Sequence, residues 1–290
     1  MNSSHPAIGR SIMAAGLRTN YHDLGEGPPM VLLHGSGAGV TGWENWHDVM
    51  PELARHHRVL VPDIVGFGFT ERPEGTKYSI KLWVQHLLGF LDALGIERPL
   101  LVGNSFGGAL SLALAPRNPH RVERMVLMGT PAGTFRQRSS GARSWYYQPS
   151  MENMAELLRT FPFDPSIVSE EMVRQRHEVS LLAGGMEAYR KLFPEPSPDG
   201  ALRDVRGIPP EDLRTIHTPI LALHGRDDQR VPLECSLTIL RECPRADLHV
   251  FARCGHWVQI ERRSEFIDAT LTFARLRDPG LPSAGAARAA

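Results

Sequence analysis

Long hydrophobic runs are missing from this 290-residue sequence. Its longest apolar stretches, such as residues 30–33 and the PILAL run that begins at Pro219, are far shorter than the roughly 18 residues that suggest a membrane span. The N-terminal residues also lack a charged region followed by the about 7 to 15 apolar residues of a secretory signal. We therefore expect a cytoplasmic protein that makes no membrane contact.

An excess of charge is missing too, and cysteine is scarce. The 32 basic residues balance 32 acidic ones, so nothing in the composition favours nucleic acid or an anionic membrane as a partner. The three cysteines, Cys235, Cys243 and Cys254, have spacings that match neither a zinc site nor a disulfide framework. We expect them to be reduced and structural, and we expect no bound metal.

Short apolar runs recur along the chain and predict the buried strands of a parallel sheet. They occupy residues 30–33, 58–62, 99–103, 124–129, 219–224 and 247–251. Helix-length segments separate them, for example residues 79–94, where apolar side chains recur near helical spacing between a serine cap and Gly95. This alternation predicts an α/β fold with a mostly parallel, doubly wound sheet.

One interval breaks the alternation. From about Gly133 to Leu213 there is no clear strand-like run, only helical pieces such as residues 151–159 and 169–182. The sequence therefore predicts a core of residues 1–132 and 214–277 with a helical cap, or lid, of residues 133–213. Residues 278–290 show no periodic apolar pattern, and we expect a disordered tail there.

The hexapeptide GNSFGG, residues 103–108, follows a predicted strand and precedes a predicted helix. A sharp turn at this point holds a serine clear of its neighbours and leaves room only for small residues two positions before and after it. Gly103 and Gly107 occupy those positions, so we predict that Ser105 is a catalytic nucleophile. Pro116 should kink or shorten the helix that follows.

A nucleophilic serine needs a base, and the base needs an orienting acid. His256 lies in RCGHW, just past the last strand-like run, and Asp228 lies in GRDDQRVP, just past the strand at 219–224. The order Ser105, Asp228, His256 is the one expected for a nucleophile elbow of this kind. Asp227 is the alternative acid; Asp228 is preferred because it stands three residues before the Val-Pro pair.

The developing oxyanion needs hydrogen-bond donors that are already in place. The glycine-rich segment HGSGAG, residues 34–39, follows the first buried strand. We predict that the donors are the backbone amide of Ser36, or of Gly37 next to it, and that of Phe106. His34 ends a strand before a glycine turn, so we expect it to brace the loop by hydrogen bonds.

Five segments carry a family resemblance: GNSFGG, HGSGAGVTGWENW, PDIVGFGFTERPEG, GRDDQRVPLECS and RCGHWVQIE. Together they resemble the meta-cleavage product hydrolases, carbon–carbon bond hydrolases of the α/β-hydrolase superfamily in bacterial aromatic degradation. The resemblance spans about residues 20–275, and the 2-hydroxymuconic semialdehyde hydrolase branch looks nearest. It implies a cap inserted after the sixth strand, a catalytic triad without a cofactor, and a homo-oligomer, a dimer or larger.

The activity implied by this resemblance is hydrolysis of 2-hydroxy-6-oxohexa-2,4-dienoates to 2-hydroxypenta-2,4-dienoate and a carboxylic acid. The dienol is first ketonised, and serine or serine-activated water then attacks the C6 carbonyl. By resemblance, Asn45, Asn104 and Trp257 contact the dienoate end of the substrate, beside Ser36 and Gly37. A carboxylate with an adjacent oxygen does require several donors in an otherwise apolar cleft.

The resemblance also implies a cap arginine that binds the dienoate oxygens, and VRQRHEVS offers Arg176 in that place, with Arg174 as the alternative. A planar guanidinium suits this ligand because it donates two parallel hydrogen bonds. His177 departs from the family pattern, which usually has an aromatic residue there. The C6 substituent depends on the cleft between cap and core, for which Trp145, Tyr146 and Phe161 are candidate lining residues.

Two other functions are compatible with parts of this sequence. A carboxylesterase or lactonase would use the same triad and oxyanion hole without the ketonisation step. A non-catalytic ligand-binding scaffold with this fold is disfavoured, because a binding module has no need for Ser105, Asp228 and His256 together. Decay of the dienolate absorbance, compared with ester hydrolysis, would separate the alternatives.

Overall fold

A computed structural model describes residues 5–136, 147–192 and 204–276 of the chain. The strands in these ranges are β1 (Arg10–Ala14), β2 (Leu17–Leu24), β3 (Pro29–Leu33), β4 (Arg58–Pro62), β5 (Leu100–Asn104), β6 (Arg124–Met128), β7 (Thr134–Arg136), β8 (Asp204–Arg206), β9 (Ile220–Gly225) and β10 (Ala246–Phe251). The helices are α1 (Gly42–Trp46), α2 (Met50–Leu53), α3 (Ile80–Ala93), α4 (Phe106–Leu114), α5 (Met151–Leu158), α6 (Glu170–Ser180), α7 (Gly185–Leu192), α8 (Pro210–Leu213), α9 (Leu233–Glu242), α10 (Val258–Glu261) and α11 (Arg263–Arg275).

Eight of the described strands form one sheet in the order β1-β2-β4-β3-β5-β6-β9-β10. All pairs from β4 to β10 are parallel, so the expected α/β fold with a mostly parallel sheet is confirmed. The antiparallel strands β1 and β2 at one edge were not anticipated. Their polar residues and half-exposed pattern differ from the buried apolar runs of β3, β4, β5, β6 and β9. The strand predicted at 247–251 does pair in parallel with β9, but the expectation that it is buried is wrong: β10 forms the opposite edge of the sheet, and Asp247, His249 and Val250 are exposed.

Side chains of the central strands are buried on both faces of the sheet. Along β3, Met30 and Leu32 pack into one apolar cluster while Val31 and Leu33 pack into the other, because successive strand residues point to opposite faces. Helices α3 and α4 cover the face of the sheet that carries Val31 and Leu33. The parallel carboxyl ends of β3, β5, β6 and β9 therefore meet at one edge of a rigid layer, and the loops that follow them come together there.

Local sequence signals fix the ends of several helices. The Ser79 hydroxyl accepts a hydrogen bond from the Leu82 amide at the start of α3, as the predicted serine cap requires. Helix α4 ends at Leu114, two residues before Pro116, which confirms the predicted shortening. In the described residues, no helix is long and apolar enough to span a membrane.

Between β6 and β9 the described chain is largely helical. Helices α5, α6 and α7 contribute side chains to a third apolar cluster, which also includes Ala38 and Trp257 from the loops above the sheet. The expectation of no strand between about 133 and 213 is wrong, because β7 and β8 pair there as an antiparallel ladder. Each has only three residues, too few for an alternating pattern to stand out.

Some predictions fall outside the described residues. Trp145, Tyr146 and the tail at 278–290 lie there, and the cap limits of 133–213 stay a prediction. The three cysteines are free and buried. Burial raises the pKa of the Cys235 thiol to about 11 and that of Cys243 to about 12, which disfavours the reactive thiolate.

Candidate active site

Ser105 lies at the sharp turn between β5 and α4. Its backbone has φ +52° and ψ −111°, a combination that residues other than glycine rarely adopt. A Cβ atom on Gly103 would overlap the backbone of Gly107, and one on Gly107 would overlap the carbonyl of Leu33. Both positions are therefore restricted to glycine, and the close packing supports the strained serine.

Asp228 and His256 lie next to each other at the carboxyl ends of β9 and β10. Nδ1 of His256 lies 2.7 Å from Oδ2 of Asp228, and both side chains are buried. Oδ1 of Asp228 accepts hydrogen bonds from the backbone amides of Arg230 and Val231. Because a carboxylate only accepts, Nδ1 of His256 carries the proton, and Nε2 is left to act as a base.

Charge and burial oppose each other at Asp228. Burial alone would raise the pKa of this carboxyl, but the neighbouring His256 and the hydrogen bonds to the carboxylate outweigh it and hold the pKa below its ordinary value. Asp228 is thus a carboxylate near neutral pH. Asp227 is not the partner of the histidine: its Oδ2 accepts from the Arg253 amide at 2.9 Å and lies 3.7 Å from the Arg226 guanidinium.

Ser105 and His256 line one cavity of about 870 Å³ between the sheet edge and helices α5 to α7. In the described part of the chain, no hydrogen bond joins their side chains. Catalytic hydrogen bonds often form at full strength only in the substrate complex. The absence of a hydrogen bond here is therefore compatible with Ser105 as the nucleophile and His256 as the base. No group of three His, Cys, Asp or Glu side chains suited to a metal ion occurs among the described residues.

The predicted oxyanion donors border the same cavity. Ser36 and Gly37 follow β3, and Phe106 is the first residue of α4. The first intrahelical bond of α4 runs from the Ala109 amide to the Ser105 carbonyl, which leaves the Phe106 amide without a helical acceptor. A Cβ added at the adjacent Gly35 would lie only 3.6 Å from the Cβ of Ser105, so the loop after β3 passes close to the nucleophile.

His34 braces this loop, as expected. Its Nδ1 donates to the Gly35 carbonyl at 2.7 Å, and its Nε2 accepts from the Ile64 amide at 3.0 Å. Burial lowers the pKa of the imidazole, which keeps it neutral and able to do both. The hydrogen bonds link the loop after β3 to the loop after β4.

Asn45 and Asn104 both line the cavity and both have structural partners. Oδ1 of Asn45 accepts from the Gly35 amide at 3.0 Å, while its Nδ2 is buried without a hydrogen-bond partner in the described residues. Nδ2 of Asn104 donates to the His256 carbonyl at 3.3 Å. Asn104 thus connects β5 to the histidine loop. Asn45 holds the loop after β3, and its Nδ2 is available to donate to a ligand in the cavity.

Arg176 is buried against the cavity, whereas Arg174 faces solvent. Nε of Arg176 donates to the Ala38 carbonyl at 3.1 Å, and the side chain lines the cavity. Burial lowers the pKa of this guanidinium to about 10, although the Glu44 carboxylate opposes the shift. Arg174 forms ion pairs with two glutamates of its own helix. The helical phase of α6 therefore selects Arg176 as the arginine that faces the cavity.

Aromatic rings form the wall beside His256. Trp257 is buried and stacks on Phe161, with ring centroids 4.9 Å apart and an interplanar angle of 5°. Both rings line the cavity. His177, which departs from the family pattern, instead contacts the hydroxyl of Tyr147 at 2.8 Å through Nδ1. Phe161 and Trp257 thus supply the aromatic rings beside His256, and position 177 is not among the residues that line the cavity.

Arg230 is a cavity residue that was not singled out from the sequence. Its guanidinium carbon lies 4.6 Å from the Phe161 ring centroid. Burial lowers its pKa to about 10, with the nearby Asp228 acting in the opposite direction. The sequence contained one indication of this position, since Arg230 lies two residues after Asp228. A turn at the carboxyl end of β9 directs neighbouring side chains toward the same edge of the sheet.

Comparisons with known proteins agree with this geometry. Residues 28–263 match the family model described as alpha/beta hydrolase fold. The chain is 48% identical over 278 residues to a 2-hydroxy-6-oxo-2,4-heptadienoate hydrolase of Pseudomonas putida F1, covering 96% of this chain and 100% of that protein. It is 47% identical over 263 residues to a 2-hydroxymuconate semialdehyde hydrolase of Pseudomonas sp. CF600, covering 90% and 92%. The chain belongs to the meta-cleavage product hydrolases.

A solved structure of another meta-cleavage product hydrolase, from Pseudomonas fluorescens IP01, superimposes with a TM-score of 0.87 at 46% identity. The match covers 92% of this chain and 98% of that one, and the solved protein is a serine-to-alanine mutant complexed with acetates. The family match spans the sheet edge that carries Ser105, Asp228 and His256. The predicted membership of this family, within the α/β-hydrolase fold, is thereby confirmed.

Proposed function

We propose that this meta-cleavage product hydrolase cleaves the C5–C6 bond of 2-hydroxy-6-oxohexa-2,4-dienoates, with Ser105, His256 and Asp228 as its catalytic triad. The substrates are 2-hydroxymuconic semialdehyde or its alkyl or aryl analogues. The observation that carries the proposal is the buried pair of His256 and Asp228, with Nδ1 and Oδ2 2.7 Å apart, in which His256 lines the same cavity as the strained Ser105 and the buried Arg176. The names of the related hydrolases support the substrate class.

The dienoate end of the substrate lies toward Arg176 in this proposal. The guanidinium donates to the carboxylate and the adjacent C2 oxygen, with the spare amide of Asn45 beside it. Asn104 and Trp257 complete the contacts to this end. Ketonisation moves the proton of the C2 hydroxyl to C5, and the adjacent cation stabilises negative charge on the C2 oxygen during the transfer.

The C6 carbonyl lies above Ser105. Nε2 of His256 takes the proton from the serine hydroxyl, or from a water molecule that the serine holds, and the oxygen adds to C6. The amides of Phe106 and of Ser36 or Gly37 stabilise the oxyanion. The C5–C6 bond then breaks, its electron pair goes to C5, and the dienolate takes up a proton to give 2-hydroxypenta-2,4-dienoate. If the serine oxygen attacks, C6 remains as an ester on Ser105, and a water molecule deprotonated by His256 then hydrolyses this ester. On either route C6 leaves as a carboxylic acid, one water is consumed, and no cofactor is needed.

The C6 substituent occupies the opposite half of the cavity. Asn45 follows β3, and Arg176 contacts Ala38 in the loop after β3, on one side of β5, whereas Arg230 and Val231 follow β9, on the other side. A linear substrate centred on Ser105 therefore directs its substituent toward the β9 side. Phe161 and Leu157 from the helical segment cover this half.

Purified protein mixed with yellow ring-fission products of catechol, an alkylcatechol and a dihydroxybiphenyl should bleach the dienolate absorbance. Ser105→Ala should abolish hydrolysis and retain substrate binding. Turnover of p-nitrophenyl acetate without dienolate decay would instead support an esterase. Hydrolysis by Ser105→Ala at the wild-type rate would disprove the role of the serine.

We also propose a cytoplasmic homo-oligomer, a dimer or larger, by analogy with the family. Sedimentation velocity of the purified full-length chain over a range of concentrations tests this directly. A single species with the mass of one chain would contradict it.

A further inference from the structure

Glu261, at the end of α10, accepts hydrogen bonds from two separate segments of the chain. Its carboxylate oxygens lie 3.0 and 2.9 Å from the Gly255 amide, and Oε1 lies 3.2 Å from the Trp257 amide. Oε2 also lies 2.7 Å from the Phe163 amide, in the segment that follows α5. One carboxylate therefore holds the backbone on both sides of His256 and the segment that packs over it.

The segment after α5 lies directly on the histidine loop. The His256 amide donates to the Phe161 carbonyl at 2.8 Å, and the Phe161 ring stacks on Trp257. A Cβ added at Gly255 would lie 2.7 Å from the backbone amide of Phe163, closer than any side chain tolerates. Glycine at 255 thus permits the close approach that allows a single carboxylate to reach all three amides.

The amides of Gly255 and Trp257 are partly buried, and an unpaired buried backbone N–H is strongly unfavourable. The Phe163 amide is exposed, and the carboxylate links it to the histidine loop. Hydrogen bonds to an ionised carboxylate are roughly twice as strong as neutral ones. Burial raises the pKa of Glu261, while the hydrogen bonds from the three amides oppose that shift. Glu261 is not among the residues that line the cavity. Its carboxylate therefore orders the loop and does not contact the substrate.

We infer that Glu261 is a positioning residue, which fixes the imidazole of His256 for catalysis and couples that position to the seating of residues 161–163 over the cavity. The carboxylate does not touch the reacting atoms. It acts through the backbone of the loop 255–257, and a shift of this loop would move Nε2 of His256 and the Trp257 ring together. The inference rests on the proposed role of His256 as the base.

The test compares Glu261→Ala and Glu261→Gln with the wild-type full-length enzyme. Glu265→Gln is the matched control, since it changes an exposed glutamate whose ion pair in the described part of the chain is with Arg262. We expect Glu261→Ala to lower kcat about 100-fold with a smaller change in KM, as misplaced catalytic groups do. Glu261→Gln keeps one acceptor oxygen and should recover part of the loss. Glu265→Gln should remain within about twofold of wild type.

Amide hydrogen exchange supplies a second, activity-independent readout. Loss of the carboxylate should speed exchange at Gly255, Trp257 and Phe163 together, by about 10- to 100-fold. If the alanine variant does not fold, the glutamine variant carries both measurements. Faster exchange with kcat within about twofold of wild type would overturn the inference, and so would unchanged exchange at Phe163.

Failure of the proposed function would look different. A wild-type enzyme without dienolate turnover but with ester hydrolysis would remove the substrate assignment. The same variants would then be assayed on p-nitrophenyl acetate, where the predicted fall in kcat and the exchange pattern still test the role of Glu261.

Discussion

Nδ1 of His224 lies 2.7 Å from the hydroxyl of Ser236, in a buried layer behind the proposed catalytic acid. Nε2 of the same imidazole lies 3.1 Å from the Val231 carbonyl. Because a carbonyl only accepts, Nε2 is the protonated nitrogen and Nδ1 accepts from the serine. The Val231 amide in turn donates to Asp228. Two buried side chains on β9 and α9 therefore support the turn that holds the acid.

Ser236→Ala should destabilise the fold, because it leaves Nδ1 of His224 buried without a donor. We expect the free energy of unfolding to fall by about 1 to 3 kcal/mol. Urea titration monitored by circular dichroism measures the change. Thr238→Ala is the control on the same helix, since its exposed hydroxyl donates to the Glu234 carbonyl in the preceding turn of α9. An equal loss in both variants would contradict the prediction.

Asp228→Asn should lower kcat by about 10⁴-fold, since an amide in this position favours the wrong imidazole tautomer. Asp227→Asn tests the neighbouring carboxylate, whose contacts are with the Arg253 amide and the Arg226 guanidinium. It should keep kcat within about tenfold of wild type. Steady-state dienolate decay distinguishes the two, and the reverse ranking would transfer the role of the acid to Asp227.

Arg176→Gln should lower kcat/KM for the dienoate by about 10- to 100-fold, because it removes charged hydrogen bonds to the substrate. Arg174→Gln, two residues away on the same helix, removes only solvent-exposed ion pairs and should leave the kinetics unchanged. Activity on p-nitrophenyl acetate, which has no carboxylate, should fall much less in Arg176→Gln. Equal losses on both substrates would indicate a structural role for Arg176.

Gly107→Ala should be far more disruptive than its single added methyl group suggests. The Cβ would overlap the backbone of Leu33 in the neighbouring strand, and backbone cannot move aside as a flexible side chain can. We expect little soluble protein or a fall in Tm together with lost turnover. Gly185→Ala is the control, because its nearest contact would be the Ser180 carbonyl at 3.3 Å, which a shift of a few tenths of an ångström relieves, and we expect a much smaller fall in Tm.

His86 makes the fold sensitive to acid. Burial lowers the pKa of this imidazole to about 4 from its ordinary value of 6.5, and its Nε2 is hydrogen-bonded to Thr19 at 2.8 Å. The folded state thus favours the neutral ring, so stability is complete above about pH 6.5 and falls as the pH drops toward 4. The loss should reach about 3 kcal/mol from this residue.

Urea titrations near neutral pH and near pH 4 should show a smaller acid-induced loss in His86→Gln than in wild type. The exposed His120→Gln should behave like wild type. A wild-type stability that does not change over this range would show that the buried imidazole does not control it.

The sequence predicted the structure best at positions where the local geometry allows only one type of residue. GNSFGG predicted the turn at Ser105 because only glycine tolerates the backbone contacts on either side of it. The six parallel strands lay within a residue or two of their predicted limits. In five of them burial on both faces demands a continuous apolar run, whereas β10 lies at the edge of the sheet and is largely exposed. The hairpin of β1 and β2 lacked that demand: its outer strand is largely exposed, so no apolar run marked it.

Contacts between distant segments were not accessible from the sequence. Choosing Arg176 over Arg174 requires the rotational phase of α6 against Ala38. The place of Arg230 over Phe161, and of Glu261 against Phe163, depends on how the helical segment packs on the histidine loop. Each of these three contacts joins residues about 70 to 140 positions apart in the sequence. Local secondary-structure propensity carries no information about such pairs.

The short ladder of β7 and β8 joins the place where the chain leaves the sheet to the place where it returns. Thr134 pairs with Arg206, and Gly133 and Ile208 are hydrogen-bonded just below them. The chain between thus begins and ends at one narrow neck, and its length adds no strain to the sheet. The segment could change in size or shape at this neck without breaking a strand of the sheet, provided that it kept Arg176 at the cavity and the contacts of residues 161–163 with the histidine loop, so substrate range can evolve on a fixed sheet.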